Sequence, residues 1–599
     1  MLMPLHPLHL ADAATSRRRA DEVIAWLRDY SEARIDSRLF DERRCVPPFV
    51  ILDFGNRGLM GLQVPESFGG LALRHHDFLR VLEQLAAIDV SLASLIFIHN
   101  ANGVRPIMGF GKPALRERLL PIIASGRELS AFALTEPAAG SNLPGLETRA
   151  EPDGKGGWRL YGVKRWNGSG WAGIVTVFAR VADAQGRLRH PTAFVVRQGD
   201  TGIVVGPESL TMGVRSIMQN AIIFDGAEVG AEELLGEPGQ GMEIADEALL
   251  IARLAMGAIS LGVMKRCAQL LGRYASRRRV STGLLRDTPT MRIAVGELTA
   301  KITALQVLVD RLSAILDTGD YPAEEACMIV KIFGSHAAWE AADALVEGLG
   351  GRGYMENNGA SQIMRDCRML RIGEGANDLM TLSVGRRVIH SQRLHLLLRE
   401  ALAAPHLDDL LRLSAEQTMQ RCLSAGAPFA DRGTAVAWAN MLTGRLAIAS
   451  VVLAALEAEE RERSGPAAIA CARRWATDQF ETALRHAVEG DPRERLATAP
   501  DRTSDPISGY AQAIGDLEQS PPGIEGAIDP LLRRDPQRNG FAAFHTLPGA
   551  ANGDNKEVGP SARTQKRVAA IQTGDWRVDE TGGNPPPCRR AFRSAGEEV

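Results

Sequence analysis

The spacing of hydrophobic residues changes along this chain. Between residues 18 and 130, apolar positions recur every three or four residues, as at Phe78 and Leu82 after the capping candidate Asp77, and this period predicts helices. Residues 131–235 instead contain short β-branched runs, such as GIVTVFARV and NAIIFDGAEV, separated by Gly, Asp and Pro. Such runs are typical of strands, so we expect an N-terminal helical domain followed by a β domain.

Helical spacing returns after the predicted β domain. Residues 236–390 place apolar side chains such as Ile251 and Leu254 on one helix face, which predicts a helix bundle. Residues 391–490 contain further helix-like runs that either extend this bundle or form a separate helical domain. Residues 491–599 are rich in Pro, Gly, Asp and Arg with little apolar periodicity, so we expect a disordered tail. The predicted fold class is α+β and mostly α.

Composition and charge exclude several classes of protein. The 599 residues are 45% hydrophobic and 24% charged, as in ordinary globular proteins. Lys and Arg number 69 and Asp and Glu 72, so the net charge of −3 does not indicate nucleic-acid binding. The seven cysteines are scattered without a C-x-x-C pair, which favours reduced thiols over a disulfide framework or a metal site. Because neither a signal sequence nor a transmembrane segment is evident, we expect a cytoplasmic protein.

Candidate chemistry begins with the segment AFALTEPAAGSN, residues 131–142. Thr135, Ser141 and the amides near Gly140 form a turn of small residues, through which backbone donors can approach a polar ring or a phosphate. In GVKRWNGSGW, Trp166 opens a loop rich in Gly and Ser, and its indole suits stacking on an aromatic cofactor. Taken alone, the first segment is more typical of a plain turn, and Trp166 of a packed core.

The helical region carries two further candidates. Gly350, Gly351 and Gly353 form a cluster whose amides could bind a pyrophosphate, although a short glycine cluster is weak evidence by itself. In IGEGAN, residues 372–377, Glu374 stands between two glycines with no Lys or Arg within two residues. As a lone residue it is best interpreted as a solvated or helix-capping carboxylate.

The order of these segments changes their interpretation. Together with MGVRS at 212–216 and ELLGEPGQGMEIADEALLIARLAMGA at 233–258, they make the chain between about residues 58 and 390 resemble the acyl-CoA dehydrogenase family of flavoenzymes. Several motifs in sequence are far more specific than any one of them.

The resemblance implies a fold and an activity. It implies an N-terminal helical domain, a β-barrel-like middle domain and a C-terminal four-helix bundle, with FAD between the last two. It also implies α,β-dehydrogenation of an acyl thioester, a step of fatty acid metabolism, in which a glutamate removes the α-proton and the β-hydride passes to flavin N5. Since that α-proton is very weakly acidic, such a site needs donors aimed at the developing enolate and a partly desolvated base.

Residue roles are implied by the same resemblance. Glu374 matches the catalytic base, and Ser141, Arg253 and Gly375 match residues near the bound thioester. The positions that match FAD contacts, some of them to the FAD of a neighbouring subunit, are Leu134, Thr135, Ser141, Trp166, Ser169, Arg278, Glu347, Gly350, Gly351 and Gly353.

This chain departs from the family pattern at several of these motifs. Asn142 follows Gly-Ser where Asp is usual, and Ala376 replaces the Thr of the family's EGT motif. Trp166-Asn167-Gly168 stands where many members read Trp-Ile-Thr, so Ser169 is the candidate to supply the missing hydroxyl. The segment around Arg278 lacks the family's Phe-Gly and downstream Gln. We therefore expect weaker or altered FAD binding rather than its loss.

The sequence leaves alternative functions open. An FAD-dependent dehydrogenase would act on acyl-CoA or an acyl-carrier-protein thioester, pass electrons to an electron-transfer flavoprotein, and form a homodimer or homotetramer. An oxidase, in which O₂ reoxidises the flavin, is a close variant. A catalytically weak relative that acts as a binding or assembly module, through residues 391–490, is the main alternative from another class.

Overall fold

The computed structural model describes most of the chain up to residue 491. Described are residues 9–491 without 172, 183–186, 321, 430 and 464–466, and residues 509–515 without 511. The predicted disordered tail therefore lies almost entirely outside the described residues.

Helices form the N-terminal part, as the hydrophobic spacing predicts. Asp12 caps the first of them by accepting hydrogen bonds from two amides of the opening turn. The elements are α1 Ala13–Arg34, α2 Ser37–Arg43, α3 Pro48–Asn56, α4 His75–Ile88, α5 Val90–Phe97, a π-helix Ile98–Val104, α6 Arg105–Phe110 and α7 Pro113–Ala124.

A mixed sheet follows these helices. Its strands are β1 Ser130–Ala133, β2 Arg149–Pro152, β3 Trp158–Gly168, β4 Ile174–Ala182, β5 Leu188–Arg197, β6 Ile203–Glu208, β7 Gln219–Val229 and β8 Leu234–Leu235. They lie in the order β6-β7-β3-β2-β4-β5-β8, and β1 pairs with β4 in parallel. The pairing of β3 with β7 shifts register between Lys164 and Asn167. Such an irregularity re-aims side chains, and here it falls on Trp166.

The C-terminal bundle surrounds one long apolar helix. The elements are α8 Gly241–Ala275, β9 Arg279–Val280, β10 Gly283–Leu284, α9 Pro289–Asp317, α10 Glu324–Leu349, α11 Gly351–Tyr354, α12 Gly359–Leu370 and α13 Asn377–Arg387. Helix α8 has the length and hydropathy of a membrane span, but the whole of that stretch is buried inside the protein. Its apolar composition is therefore explained by its place in the core. The predicted class, mostly α with a central sheet, is confirmed.

Further helices continue directly from the bundle. They are α14 Gln392–Leu396, a π-helix Leu397–Ala401, α15 Pro405–Leu423, α16 Arg432–Glu462 and α17 Ala467–Glu489. Helix α16 crosses α13 so closely that a Cβ on Gly385 would overlap the backbone oxygen of Asn440. A Cβ on Gly444 would likewise overlap the backbone oxygen of Thr381. The extension therefore packs backbone to backbone against the bundle instead of hanging from a linker.

A substitution at this crossing tests the packing. Gly444→Leu is expected to lower the free energy of unfolding by roughly 1–3 kcal/mol or more, because the added side chain forces α16 away from α13. Thermal unfolding and limited proteolysis of residues 391–490 would measure the effect. Gly272→Leu is the matched control, since a Cβ at that helical glycine would meet nothing within 4 Å. Equal unfolding temperatures for the two variants would contradict the close crossing.

Candidate active site

Glu374 lies in the loop between α12 and α13, in a backbone conformation that is rare outside glycine. Its φ is +57° and that of Gly375 is +109°. A Cβ on Gly373 would come within 2.9 Å of the Met369 sulfur, and one on Gly375 within 2.9 Å of the Met380 sulfur. The two glycines thus let the loop pass beneath methionine side chains. A non-glycine residue held at positive φ is a strained arrangement of the kind that concentrates at functional sites.

The carboxylate of Glu374 is partly buried and accepts a hydrogen bond from a side chain of the N-terminal helices. Asn102 Nδ2 on the π-helix Ile98–Val104 donates to Glu374 Oε1 at 2.9 Å. Burial raises the pKa of Glu374, and the Asn102 hydrogen bond and the positive charges of Arg253 and Lys331 oppose that rise. A carboxylate with a raised pKa is a stronger proton acceptor than an exposed one once it is ionised.

Lys331 holds the Glu374 loop to α10 through hydrogen bonds. This fully buried side chain on α10 donates from Nζ to the backbone oxygen of Gly375, and at 2.8 Å to Asn377 Oδ1. Asn377 Nδ2 in turn donates to Ser335 Oγ at 2.9 Å. Burial lowers the pKa of Lys331 to about 7, against the effect of the Glu374 charge. The Asn377 side chain, at the start of α13, thus ties the loop to α10.

Arg253 lies close enough to Glu374 for its charge to lower the pKa of that carboxyl. It is 8% exposed on α8, and its Nη1 donates to Glu324 Oε1 at 3.2 Å. Glu324 also pairs with Arg387 of α13. This buried ion-pair cluster holds the guanidinium in place, so its charge acts on the base from a fixed position.

A buried ion pair stabilises the turn formed by residues 134–137, called the LTEP turn below. Lys164 Nζ contacts Glu136 Oε1 at 2.6 Å and the backbone oxygen of Leu134 at 3.0 Å. Glu136, 4% exposed, also accepts from the amides of Glu147 and Thr148. Although burial raises the pKa of Glu136, Lys164 and these hydrogen bonds hold it below its usual value. The turn is therefore fixed from inside, which leaves its outer side for a ligand.

Trp166 lies within the irregular end of β3 and does not open a loop as predicted. This end of β3 and the Gly and Ser residues after it, called the Trp166 loop below, lie beside that turn. The backbone N–H of Arg165 donates to Thr135 O at 2.9 Å. Trp166 itself has a φ of +55° and is 52% exposed, so the interpretation as packed core is wrong. Ser169 is 1% exposed, and among the described residues its hydroxyl has no hydrogen-bond partner. An exposed indole next to an unpaired buried hydroxyl fits the predicted FAD, a flat aromatic group with polar edges.

The Trp166 loop and Glu374 both contact the π-helix Ile98–Val104. A Cβ on Gly168 would come within 2.5 Å of Ile98 Cδ1, so the Trp166 loop packs directly on the π-helix that carries Asn102. The flat surface of Trp166 and the carboxylate of Glu374 are thus positioned by the same short helical segment.

The other residues predicted to contact FAD lie at the surface of the single chain, except for Gly353. Ser141, Arg278, Glu347, Gly350 and Gly351 are exposed. A Cβ on Gly350 or Gly351 would meet nothing within 4 Å, whereas one on the buried Gly353 would lie 2.5 Å from the backbone oxygen of Val346. Gly353 is therefore needed for packing. The roles of these residues toward FAD stay predictions.

Sequence reasoning missed Asn102 and Lys331. Asn102 lies within HNAN, a polar run that directly follows the apolar stretch SLASLIFI. Polar residues in such a place predict buried hydrogen bonding. Lys331 likewise interrupts an apolar run, CMIVKIF. Neither signal indicates which loop the side chain reaches.

Comparison with known proteins places these features in one family. Models of the acyl-CoA dehydrogenase N-terminal, middle and C-terminal domains match residues 18–127, 131–227 and 239–389. The chain is 31% identical to an acyl-CoA dehydrogenase of Bacillus subtilis over 345 residues, 57% of this chain and 90% of the relative. It is 35% identical over 337 residues to the mitochondrial very long-chain specific acyl-CoA dehydrogenase of Macaca fascicularis. That match takes in 55% of this chain but 51% of the relative, so the chain spans about half the length of such relatives.

Solved structures give the same fold. Butyryl-CoA dehydrogenase from Megasphaera elsdenii matches with a TM-score of 0.60 and 25% identity, over 64% of this chain and all of its own. An acyl-CoA dehydrogenase from Bacillus anthracis, complexed with FAD, matches with a TM-score of 0.68 and 20% identity. The second match covers 86% of this chain and 94% of that one, so the shared fold continues past α13 into the extension.

Proposed function

Because this chain belongs to the acyl-CoA dehydrogenase family, we propose that it dehydrogenates an acyl thioester between Cα and Cβ, with FAD as cofactor and Glu374 as the base. The observation that carries the proposal is the position of Glu374. Its strained loop is fixed by Lys331, its carboxylate is held by Asn102, and burial raises its pKa. A lone capping glutamate has no need of such support.

The base must be ionised, and the thioester oxygen must be stabilised as the α-proton leaves. Among the described residues, the backbone N–H of Glu374 has no hydrogen-bond partner, so it is free to donate to that oxygen. Arg253 keeps a positive charge near the base and thereby favours its ionised form. These groups are pre-positioned, which is what stabilisation of a developing enolate requires.

The residues that would hold FAD are those of the LTEP turn and the Trp166 loop. Leu134 and Thr135 would meet its pyrimidine edge, Ser141 a phosphate, Trp166 the ring face, and Ser169 would supply a hydroxyl. From a second subunit, Arg278, Glu347, Gly350 and Gly351 would contact the same FAD. Bound FAD supplies the acceptor of the β-hydride. We further propose a cytoplasmic homodimer or homotetramer whose electrons pass to an electron-transfer flavoprotein.

The flavin spectrum tests this function. The purified protein is expected to carry a yellow flavin that bleaches without oxygen when a suitable acyl-CoA or acyl-carrier-protein thioester is added. If electron-transfer flavoprotein reoxidises the reduced flavin and O₂ does so only slowly, the protein is a dehydrogenase rather than an oxidase. Bound flavin that no member of a broad thioester panel reduces would contradict the proposal. Failure to bind added FAD would favour the binding-module alternative.

The charge of Lys331 should be visible in the pH dependence of the activity. The rate is expected to fall as the pH falls through the raised pKa of Glu374, because the protonated acid is not a base. Below its pKa of about 7, Lys331 is charged and stabilises the ionised carboxylate of Glu374. Lys331→Met is therefore expected to shift the acidic limb of the pH profile to higher pH by about one unit. Such a shift corresponds to the loss of about 1.4 kcal/mol of stabilisation of the ionised carboxylate.

A lysine outside the Glu374 loop gives the control for that measurement. Lys301→Met also removes a cation, but Lys301 pairs with Glu340 at 2.8 Å, away from Glu374. Its profile of kcat against pH should match that of the wild type. Coincident acidic limbs in all three proteins would contradict the proposed effect of Lys331 on the base.

A further inference from the structure

A groove of about 500 Å³ lies between the C-terminal bundle and the extension. It is lined by two helices of the bundle, α9 and α10, and by two helices of the extension, α16 and α17. On α17 the lining residues recur every three or four positions from Trp475 to His486, so one face of this helix borders the groove for about 16 Å. This volume is in the range of sites that bind small organic molecules.

Much of the groove wall is aromatic or aliphatic. Phe333 of α10 and Trp475 of α17 lie with their ring centroids 5.9 Å apart, and both side chains are only partly buried. Ile448 and Ala449 of α16 also line the groove and are partly buried. Helix α16 has the hydropathy of a membrane span, yet 78% of that stretch is buried, compared with 100% in α8. Apolar surface therefore stays in contact with water here, and an apolar ligand would cover it.

Three of the charged side chains in the groove pair with one another. Lys301 contacts Glu340 at 2.8 Å and Glu297 at 3.5 Å. Arg445 of α16 differs from them, because it is exposed and forms no hydrogen bond or ion pair with any residue that the structure describes. An unpaired guanidinium beside an apolar wall is suited to the carboxylate of a ligand whose body is apolar.

Asp478 of α17 also lines the groove, and it has no ion pair within the described part of the chain. Helices α16 and α17 are antiparallel, with Arg473 near the start of α17 paired to Glu460 near the end of α16 at 2.6 Å. Counted from this pair, Arg445 lies 15 residues back along α16 and Asp478 five residues forward along α17. At 1.5 Å per residue, the two charges are about 15 Å apart along the groove. A zwitterion with adjacent charges, such as an amino acid, cannot reach both, whereas a single carboxylate binds Arg445 without repulsion from Asp478.

We propose that the groove binds a free carboxylic acid with a long apolar body, a fatty acid of medium chain length. Its carboxylate pairs with Arg445, and its chain lies along the apolar faces of α16 and α17. Phe333 and Glu340 stand two and nine residues from Lys331, so they lie on the opposite side of α10. The groove is therefore separated by a helix from the loop of Glu374, and this inference goes beyond the proposed function.

Calorimetric titration of dodecanoate into the purified full-length holoprotein tests the site. One molecule is expected to bind per chain and to raise the unfolding temperature, because the ligand bridges the bundle and the extension. Dodecylammonium has the same chain with the opposite charge, and butanoate has the same carboxylate without the long chain. Both should bind at least about 10-fold more weakly.

Variants of the groove locate the binding. Arg445→Gln is expected to weaken dodecanoate binding about 3- to 10-fold, a modest factor because the guanidinium is exposed. Arg474→Gln is the matched control, since Arg474 is an exposed arginine of α17 outside the groove, and its Kd should equal that of the wild type. Ala449→Phe fills the groove and should abolish binding. Ala483→Phe does the same from α17 if the first variant does not fold.

The flavin spectrum separates this groove from the site of Glu374. Dodecanoate in the groove should leave the spectrum unchanged. A changed spectrum, together with equal affinity in the wild type and Arg445→Gln, would place the ligand at the flavin and overturn the inference. The absence of binding to the wild type would also overturn it. So would a change in oligomeric mass in Ala449→Phe, because a second copy of the chain would then cover the groove. The proposed dehydrogenation is tested separately, by flavin bleaching with thioesters.

Discussion

Replacing Glu374 with glutamine is expected to lower kcat about 10²- to 10⁴-fold, the usual contribution of a general base. Glutamine keeps the size of the side chain but cannot take up the α-proton. FAD content should stay the same, because Glu374 belongs to a loop of α12 and α13 and not to the LTEP turn or the Trp166 loop. Anaerobic stopped-flow measurement of flavin bleaching would give the rate.

An exposed glutamate on the preceding loop supplies the control. Glu356 is 77% exposed, and Glu356→Gln should leave the bleaching rate unchanged. Bleaching in Glu374→Gln at a rate close to that of the wild type would mean that another group is the base.

Lys164→Met is expected to destabilise the protein by roughly 3–5 kcal/mol, because it leaves the buried carboxylate of Glu136 without its cation. The LTEP turn should also loosen, since Lys164 holds the backbone oxygen of Leu134, and FAD content should fall with it. Urea unfolding and the flavin absorbance per protein would measure the two effects.

Two further variants test whether the loss of stability comes from the unpaired charge of Glu136. The double variant Lys164→Met, Glu136→Gln should recover part of the lost stability, because glutamine carries no charge and its one amide oxygen still accepts from one of the two amides that Glu136 holds, those of Glu147 and Thr148. Lys155→Met removes an exposed lysine of the same domain and should change stability by at most about 0.5 kcal/mol. A Lys164→Met variant as stable as Lys155→Met would contradict the buried pair.

The fold was predictable because each part of the chain has one clear hydrophobic period. The three- and four-residue spacing gave the helices before and after the sheet, and the β-branched runs gave the strands. Trp166 shows where this reasoning fails. A tryptophan on a strand is usually packed, but the register shift between Lys164 and Asn167 turns this one outward, and periodicity does not reveal a register shift.

The motif carrying Glu374 was also recognisable in the sequence, but its supporting groups were not. Asn102 and Glu374 are 272 positions apart, and Lys331 and Gly375 are 44 apart. The first contact forms only when the N-terminal helices pack on the bundle, and the second only when α10 packs against the loop between α12 and α13. Hydrophobic spacing reports which face of a helix is buried, yet it does not report which residue a buried polar group meets.

The close crossing of α13 and α16 was hidden for a similar reason. Gly385 and Gly444 each stand alone in a helical run, where a single glycine usually costs stability and little more. Only the approach of the Asn440 and Thr381 backbone oxygens explains them. The choice between an extended bundle and a separate domain therefore depended on contacts that the spacing of apolar residues does not encode.

Proton exchange at Cα measures the central claim most directly, since it isolates the action of the base from the transfer of hydride. An acyl-CoA in which carbon 3 is replaced by sulfur keeps its α-hydrogens but has no β-hydride to lose. In D₂O the wild-type holoenzyme is expected to exchange these α-hydrogens, more slowly as the pH falls through the raised pKa of Glu374, and Glu374→Gln should reduce the exchange to the uncatalysed rate. Equal exchange in the wild type and in Glu374→Gln would contradict the account.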